Sequence, residues 1–204
     1  MSGEVLLQVK DLTRHFGGVK AVNGISFDLR KGEVFTLIGP NGAGKTTVFN
    51  LISRLYPPTS GEIYFKGRRI SDLPPHAMAG LGIARTFQNI ELFEYASVLQ
   101  NLLIGRHTHL KRSAWREALF LPSVRAQERE ARRRVEEVID FLRLQPYRDT
   151  LVAGLPYGVR KIVELARALA CEPELLLLDE PSSGLNVEET TDLAFWISDI
   201  TRQL

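Results

Sequence analysis

Gly39-Pro40-Asn41-Gly42-Ala43-Gly44-Lys45-Thr46-Thr47 fits the pattern G-x-x-x-x-G-K-[ST] in full. Each residue type in it has a physical task. The glycines let the backbone turn tightly and bring its N–H groups against phosphate oxygens with no Cβ in the way. A helix beginning near Lys45 would point the positive end of its dipole at the same anion. Lys45 is placed to reach the β- and γ-phosphates. The Thr46 hydroxyl is placed to ligate a Mg²⁺ ion that keeps most of its waters. The flanks agree: Val34-Phe35-Thr36-Leu37-Ile38 reads as a short buried strand, and Thr47-Val48-Phe49-Asn50-Leu51-Ile52 continues as a helix. A Gly-rich turn between strand and helix is the plain alternative, and the complete motif argues against it. The stretch predicts a nucleoside-triphosphate site built from Asn41, Gly42, Ala43, Gly44, Lys45, Thr46 and Thr47.

The chain around this loop has 204 residues, room for one large α/β domain with a helical insert. Hydrophobic content of 44% and charged content of 25% are ordinary for a globular protein. A net charge of +2 gives no case for nucleic acid as the main partner. The single cysteine, Cys171, excludes an internal disulfide, suits a reducing cytosol and reads as a small buried apolar residue. No apolar stretch approaches 18 residues and the first residues form no signal peptide, so a membrane role is expected only through a partner.

Leu6 to Lys10 and Ile25 to Leu29 have strand character, and Lys31-Gly32 turns the second into the phosphate-loop strand. Arg14-His15-Phe16-Gly17-Gly18 lies between them. The flat ring of Phe16 could stack on a purine base or simply anchor a turn. Pro57 to Gly61 break the chain before a strand from Glu62 to Gly67. Pro74-Pro75 precede a short helix, and Ile83 to Gln88 read as a strand running into a loop.

From Glu91 to Tyr147 the character is helical. Ala131, Val135, Val138, Ile139 and Leu142 form one apolar stripe, with Arg129, Arg132, Arg133, Glu136 and Glu137 on a solvated face. The basic cluster Arg106 to Arg112, followed by Trp115, reads as a solvated helix end, with anionic headgroups or a partner as alternatives. Leu155-Pro156-Tyr157-Gly158 form a turn before a strong helix, Lys161 to Leu169. Leu175 to Glu180 read as a buried strand ending in two carboxylates. An apolar strand that delivers Asp179 to its carboxyl end supplies the magnesium anchor a phosphate-loop enzyme needs. Glu180 beside it is placed to take a proton from an attacking water.

Phosphate loop, glutamine loop, helical segment, Leu-x-x-Gly before a helix and Leu-Leu-Leu-Leu-Asp-Glu-Pro follow one another in an order that resembles an ABC-transporter ATP-binding subunit. Essentially the whole chain takes part in the resemblance. Within that family Phe16 to Val22, Ala84-Arg85-Thr86-Phe87-Gln88, the basic segment after Asn101 and Gly184-Leu185-Asn186 look most like the ATPases of branched-chain amino-acid importers. The resemblance implies an α/β phosphate-loop ATPase domain with an antiparallel β subdomain and an inserted helical subdomain. Residues 1–90 and 155–204 would form the ATP-binding core and 91–154 the helical subdomain.

It implies ATP and Mg²⁺ as cofactors and gives roles to single residues. Phe16 takes the adenine-stacking position, while Lys45 and Thr46 bind phosphate and Mg²⁺. Gln88 touches the magnesium and water site, Asp179 orients the metal and Glu180 is the general base. Leu155, Tyr157 and Gly158 stand in the signature segment, which in this family closes over the γ-phosphate held by a second ATP-binding subunit, identical or different. The implied partners are that subunit and integral-membrane permeases, with no nucleic acid, and the implied location is the cytoplasmic face of the plasma membrane. An exporter ATPase of the lipopolysaccharide type, a soluble ABC ATPase outside transport, and an ATP binder without turnover are the alternatives.

The chain departs from the family pattern in places. Leu155-Pro156-Tyr157-Gly158-Val159 stands where the family has Leu-Ser-Gly-Gly-Gln, so the serine hydroxyl is missing and Pro156 cannot donate. Asn186 replaces a common aspartate. The four histidines, His15, His76, His107 and His109, all precede Asp179, so a switch histidine after it is absent and the sequence reads as truncated.

Overall fold

Leu7 and Val9 alternate with the more polar Gln8 and Lys10, as do Ile63 and Phe65 with Glu62 and Tyr64, a two-residue period that buries one face of a strand. The computed structural model describes residues 4–109 and 122–203. In it β1 (Val5–Phe16) pairs antiparallel with β2 (Val19–Arg30) and with β3 (Ser60–Phe65), and β3 pairs with β4 (Arg68–Arg69), giving the order β2-β1-β3-β4. The register sets Leu7 opposite Leu29 and Phe65, and Val9 opposite Phe27 and Ile63. Apolar side chains of three strands therefore share one face. Each one fully buried contributes roughly 1.5–3 kcal/mol. This is the antiparallel β subdomain expected from the sequence.

The β1–β3 ladder slips between Lys10 and Thr13, and Asp11 there adopts φ 46°, its N–H bound to Ser26 Oγ at 2.8 Å. Gly61 answers that bulge: its φ is 89° and a Cβ would lie 2.4 Å from Asp11 O, so only glycine fits.

Packing divides the chain into two compact units, Met1–Ile83 with Ile197–Leu204, and Ala84–Trp196. The first adds α1 (Lys45–Ile52), which buries Val48, Leu51 and Ile52, and the short α2 (Ala77–Gly80), which buries Met78. In the second, β5 (Ile83–Arg85, beginning at the boundary) pairs with β6 (Leu175–Leu177). Around them lie α3 (Val98–Gly105), α4 (Pro122–Phe141), α5 (Tyr157–Leu169) and the start of α6 (Val187–Gln203). Ser97 and Gln100 cap α3 reciprocally, and Asn186 and Glu189 do the same for α6. In α4 Ala131, Val135 and Ile139 are buried, as is Leu142 just after it, while Arg133 and Arg134 pair with Glu130 and Glu137 on the outer side.

Some expectations need correction. Val34 to Ile38 join neither sheet, and Ile38 is 92% exposed. An apolar run becomes a strand only where another strand offers N–H and C=O groups in register, and none of the described residues does so. Phe35 instead stacks on Phe27, centroids 4.7 Å apart. The strand expected over Leu175 to Glu180 ends at Leu177, because Asp179 and Glu180 already turn away. Residues 91–97 are loop rather than helix, tied down by the buried Asn101, whose Nδ2 donates to Phe93 O and Ser97 O and whose Oδ1 accepts from Phe93 N–H. Arg106 is not solvated: it is buried, donates to Ala170 O and pairs with Glu172. Leu110, Lys111, Arg112 and Trp115 lie outside the described residues.

Candidate nucleotide site

In the first unit the phosphate loop turns on two left-handed glycines, Gly42 (φ 82°) and Gly44 (φ 89°). A Cβ on Gly44 would lie 2.3 Å from Ala21 O, so the third glycine of the motif is required by packing as well as by φ. The helix opens there, Val48 N–H donating to Gly44 O at 2.9 Å, which leaves the earlier amides of the first turn directed at the loop. Lys45 Nζ folds over the loop and donates to Gly39 O (2.8 Å) and Pro40 O (3.0 Å). Asn41, Gly42 and Ala43 form the turn, and Thr46 and Thr47 stand in the first helical turn. Phe16 ends β1 and is 39% exposed as a residue; Tyr56 packs edge-on against its ring at 5.3 Å and the Arg14 guanidinium lies 4.6 Å from its centroid.

The second unit gathers the acidic residues. Asp179 is 2% exposed and accepts from Arg85 Nη2 at 3.0 Å, Arg85 itself being 6% exposed and set over the Phe87 ring. Glu180 adopts φ 47°, a left-handed backbone that costs a non-glycine residue free energy and that Asp11, Arg54, Lys66, Arg143 and Glu172 share. Gln88 Nε2 donates to Glu180 Oε2 at 3.3 Å, so these two sequence candidates meet.

The backbone on either side of Gln88 is held by α5. Lys161 Nζ donates to Gln88 O at 3.0 Å, Glu164 Oε1 accepts from Phe87 N–H at 3.1 Å, and Arg167 Nη1 donates to Glu91 O. Burial pushes the Glu164 carboxyl above its ordinary value, opposed by the Phe87 N–H bond and by Lys161 and Arg167. Burial likewise pulls Arg167 down, with Glu164 opposing.

Leu155 is buried, Pro156 caps α5 with φ −55°, and Tyr157 and Gly158 form its first turn. Both are seated on residues 184–189. A Cβ on Gly184 would meet Tyr157 Cε1 at 2.6 Å, and a Cβ on Gly158 would lie 2.0 Å from Glu189 Oε1.

Among the described residues no group of three or more His, Cys, Asp and Glu could hold a metal alone. Within the second unit Gln88 and Asp179 present an amide oxygen and a carboxylate, and within the first Thr46 presents a hydroxyl, each an oxygen donor of the hard kind that Mg²⁺ takes. The structure adds residues the sequence reading passed over. Arg85 was visible only as part of a motif, yet an arginine inside the apolar Ile83–Arg85 strand signals a buried acidic partner. Lys161, Glu164 and Arg167 recur every three residues in a helix read only as strong, a spacing that places them on one side. Glu189, three residues after Asn186, carried the capping signature.

A phosphate loop opening a helix, an antiparallel sheet, and a Gln–Glu pair beside a buried Asp define an ATP-binding cassette. The family model described as ABC transporter matches residues 22–183, and the chain belongs to that family. It is an ABC-type ATPase. The chain is 40% identical over 195 residues to the "high-affinity branched-chain amino acid transport ATP-binding protein LivG" of Salmonella typhimurium, covering 96% of this chain and 76% of the relative. It is 40% identical over 188 residues to the corresponding protein BraF of Pseudomonas aeruginosa, covering 92% and 74%. Among solved structures, a nucleotide-free ATP-binding cassette from an ABC transporter superposes with TM-score 0.83 at 29% identity, covering 98% of this chain and 78% of that one. A cassette in its ADP conformation does so with TM-score 0.83 at 30% identity and the same coverage.

Proposed function

We propose that the chain hydrolyses Mg-ATP to energise a permease that imports branched-chain amino acids. The Gln88–Glu180 hydrogen bond carries the chemical part of this reading, because it orients the carboxylate read as the base, and the names of the relatives carry the cargo. In this reading residues 1–90 and 155–204 are the ATP-binding core and 91–154 the helical subdomain.

Phe16 offers its exposed ring to adenine. The Asn41–Thr47 amides and Lys45 take the phosphates, Lys45 exchanging its carbonyl acceptors for phosphate oxygens. Thr46, Gln88 and Asp179 would hold Mg²⁺, which would supply positive charge against the phosphoryl oxygens. Glu180 accepts the proton of the attacking water, and Gln88 keeps that carboxylate pointed. Leu155, Tyr157 and Gly158 bring the first turn of α5 to the γ-phosphate held by a second ATP-binding subunit, with backbone amides doing what the missing serine hydroxyl does elsewhere. No helix among the described residues is long and apolar enough to cross a membrane, so attachment to the cytoplasmic face would come through permease subunits. Nucleic acid has no part in the reading.

The test is Mg-ATP turnover of the chain beside Glu180→Gln, with ATP binding measured in both. Turnover lower by roughly 10²-fold in the variant with binding retained supports Glu180 as the base. Equal turnover in the two would remove it from that role, and no ATP binding at all would overturn the reading from Lys45 onward.

A further inference from the structure

Lys161, Glu164 and Arg167 lie every third residue on α5 and so share one side of the helix. That side does not face water: Lys161 is 7% and Glu164 1% exposed. A charged side chain tolerates such burial only when it is paired and hydrogen-bonded. Here the signs alternate along the stripe, with the acid between two bases. Each polar head is then spent on the main chain of one short segment, through Gln88 O, Phe87 N–H and Glu91 O.

We infer that Lys161, Glu164 and Arg167 are positioning residues that clamp segment 87–91 to α5, so that the loop carrying Gln88 and the Leu155–Val159 segment move as one body. The inference rests on the role proposed above for Gln88 and goes beyond it, because the loop's position becomes a property of the helix that starts at Tyr157. Main-chain groups of a loop are ordinarily satisfied by water or by their own turn. Here buried charges on a neighbouring helix satisfy them. Anything that shifts the start of α5 therefore shifts Gln88 against its hydrogen bond to Glu180.

Amide hydrogen exchange of the 204-residue chain, read by mass spectrometry, tests the clamp without requiring catalysis. Lys161→Met and Glu164→Ala are expected to speed exchange over residues 86–91 by about fivefold to tenfold, the loss of one net hydrogen bond. Amides of Ala131–Phe141 should stay at wild-type rates. Glu164→Gln, which keeps the acceptor oxygen, should remain close to wild type, and Arg167→Met probes the less buried end of the stripe if a central substitution prevents folding. Alongside, kcat for ATP should fall about tenfold with KM unchanged, as expected when a catalytic group is misplaced rather than removed. Unchanged exchange over 86–91, or exchange rising equally in Ala131–Phe141, would overturn the clamp. A wild-type chain that turns over no ATP would sink the ATPase reading, while the exchange result would still decide the clamp.

Discussion

Arg85 Nη2 donates to Asp179 Oδ2 across 3.0 Å, and both side chains are almost wholly removed from solvent. The pair joins the end of β5 to the residues that follow β6. It supplies what an isolated buried carboxylate lacks, a fixed counter-charge, and so helps to orient Asp179. The planar guanidinium also covers the Phe87 ring, which links the same arginine to the segment that carries Gln88.

Replacing Arg85 by Met is therefore expected to cost about 3 kcal/mol of unfolding free energy, since it withdraws the guanidinium from a buried carboxylate. Urea titration checks this. The double variant Arg85→Met with Asp179→Leu should cost less than the sum of the two single changes, because it leaves no orphaned charge. A loss under about 1 kcal/mol in Arg85→Met would show that another group takes over the pairing.

Much of this arrangement was legible in the sequence, and for identifiable reasons. Gly44 and Lys45 announce themselves because phosphate binding demands those residue types at fixed spacing, and β1, β2 and β3 because alternation is a local property. The resemblance gave Gln88 and Glu180 separate roles, and their hydrogen bond is an addition of the structure. What stayed hidden depends on partners distant in sequence. Val34 to Ile38 have strand composition but no strand among the described residues to complete a ladder, and composition reports burial preference rather than pairing. The Arg85–Asp179 contact spans 94 positions, and nothing local to either residue names the other. Arg106 was assigned to solvent because it stands in a basic cluster, whereas Ala170 O and Glu172 take it inward.

Gly158 and Glu189 give a second prediction. A methyl group at 158 would sit 2.0 Å from Glu189 Oε1, so the carboxylate that accepts from Asn186 N–H must swing away, and Gly158→Ala should destabilise the chain by about 1 kcal/mol, the worth of that hydrogen bond. The same change in a Glu189→Ala background no longer meets that carboxylate and should be neutral or slightly stabilising, since alanine favours a helix over glycine by roughly 1 kcal/mol. The coupling is measured by a double-mutant cycle in urea. Additive effects would mean that the carboxylate swings aside at no cost, and that the glycine is there for another reason.

Glu164 provides the pH dependence. Burial is the largest influence on it and raises its folded-state value above the ordinary 4.5, so the folded chain holds that proton more tightly than the unfolded one. Stability from this group is fully present below 4.5 and is lost as pH rises through the folded value. Lys161 and Arg167 work against the shift but do not reverse it. Glu164→Gln cannot ionise and escapes the loss while keeping an oxygen for Phe87 N–H. Unfolding free energies of the two proteins at pH 4 and pH 8 should therefore diverge in one direction, the wild type losing ground to the variant at the higher pH. A wild type that gained on Glu164→Gln over that interval would show that Lys161, Arg167 and the backbone outweigh desolvation, and that the stripe on α5 holds its carboxylate charged at a net gain in stability.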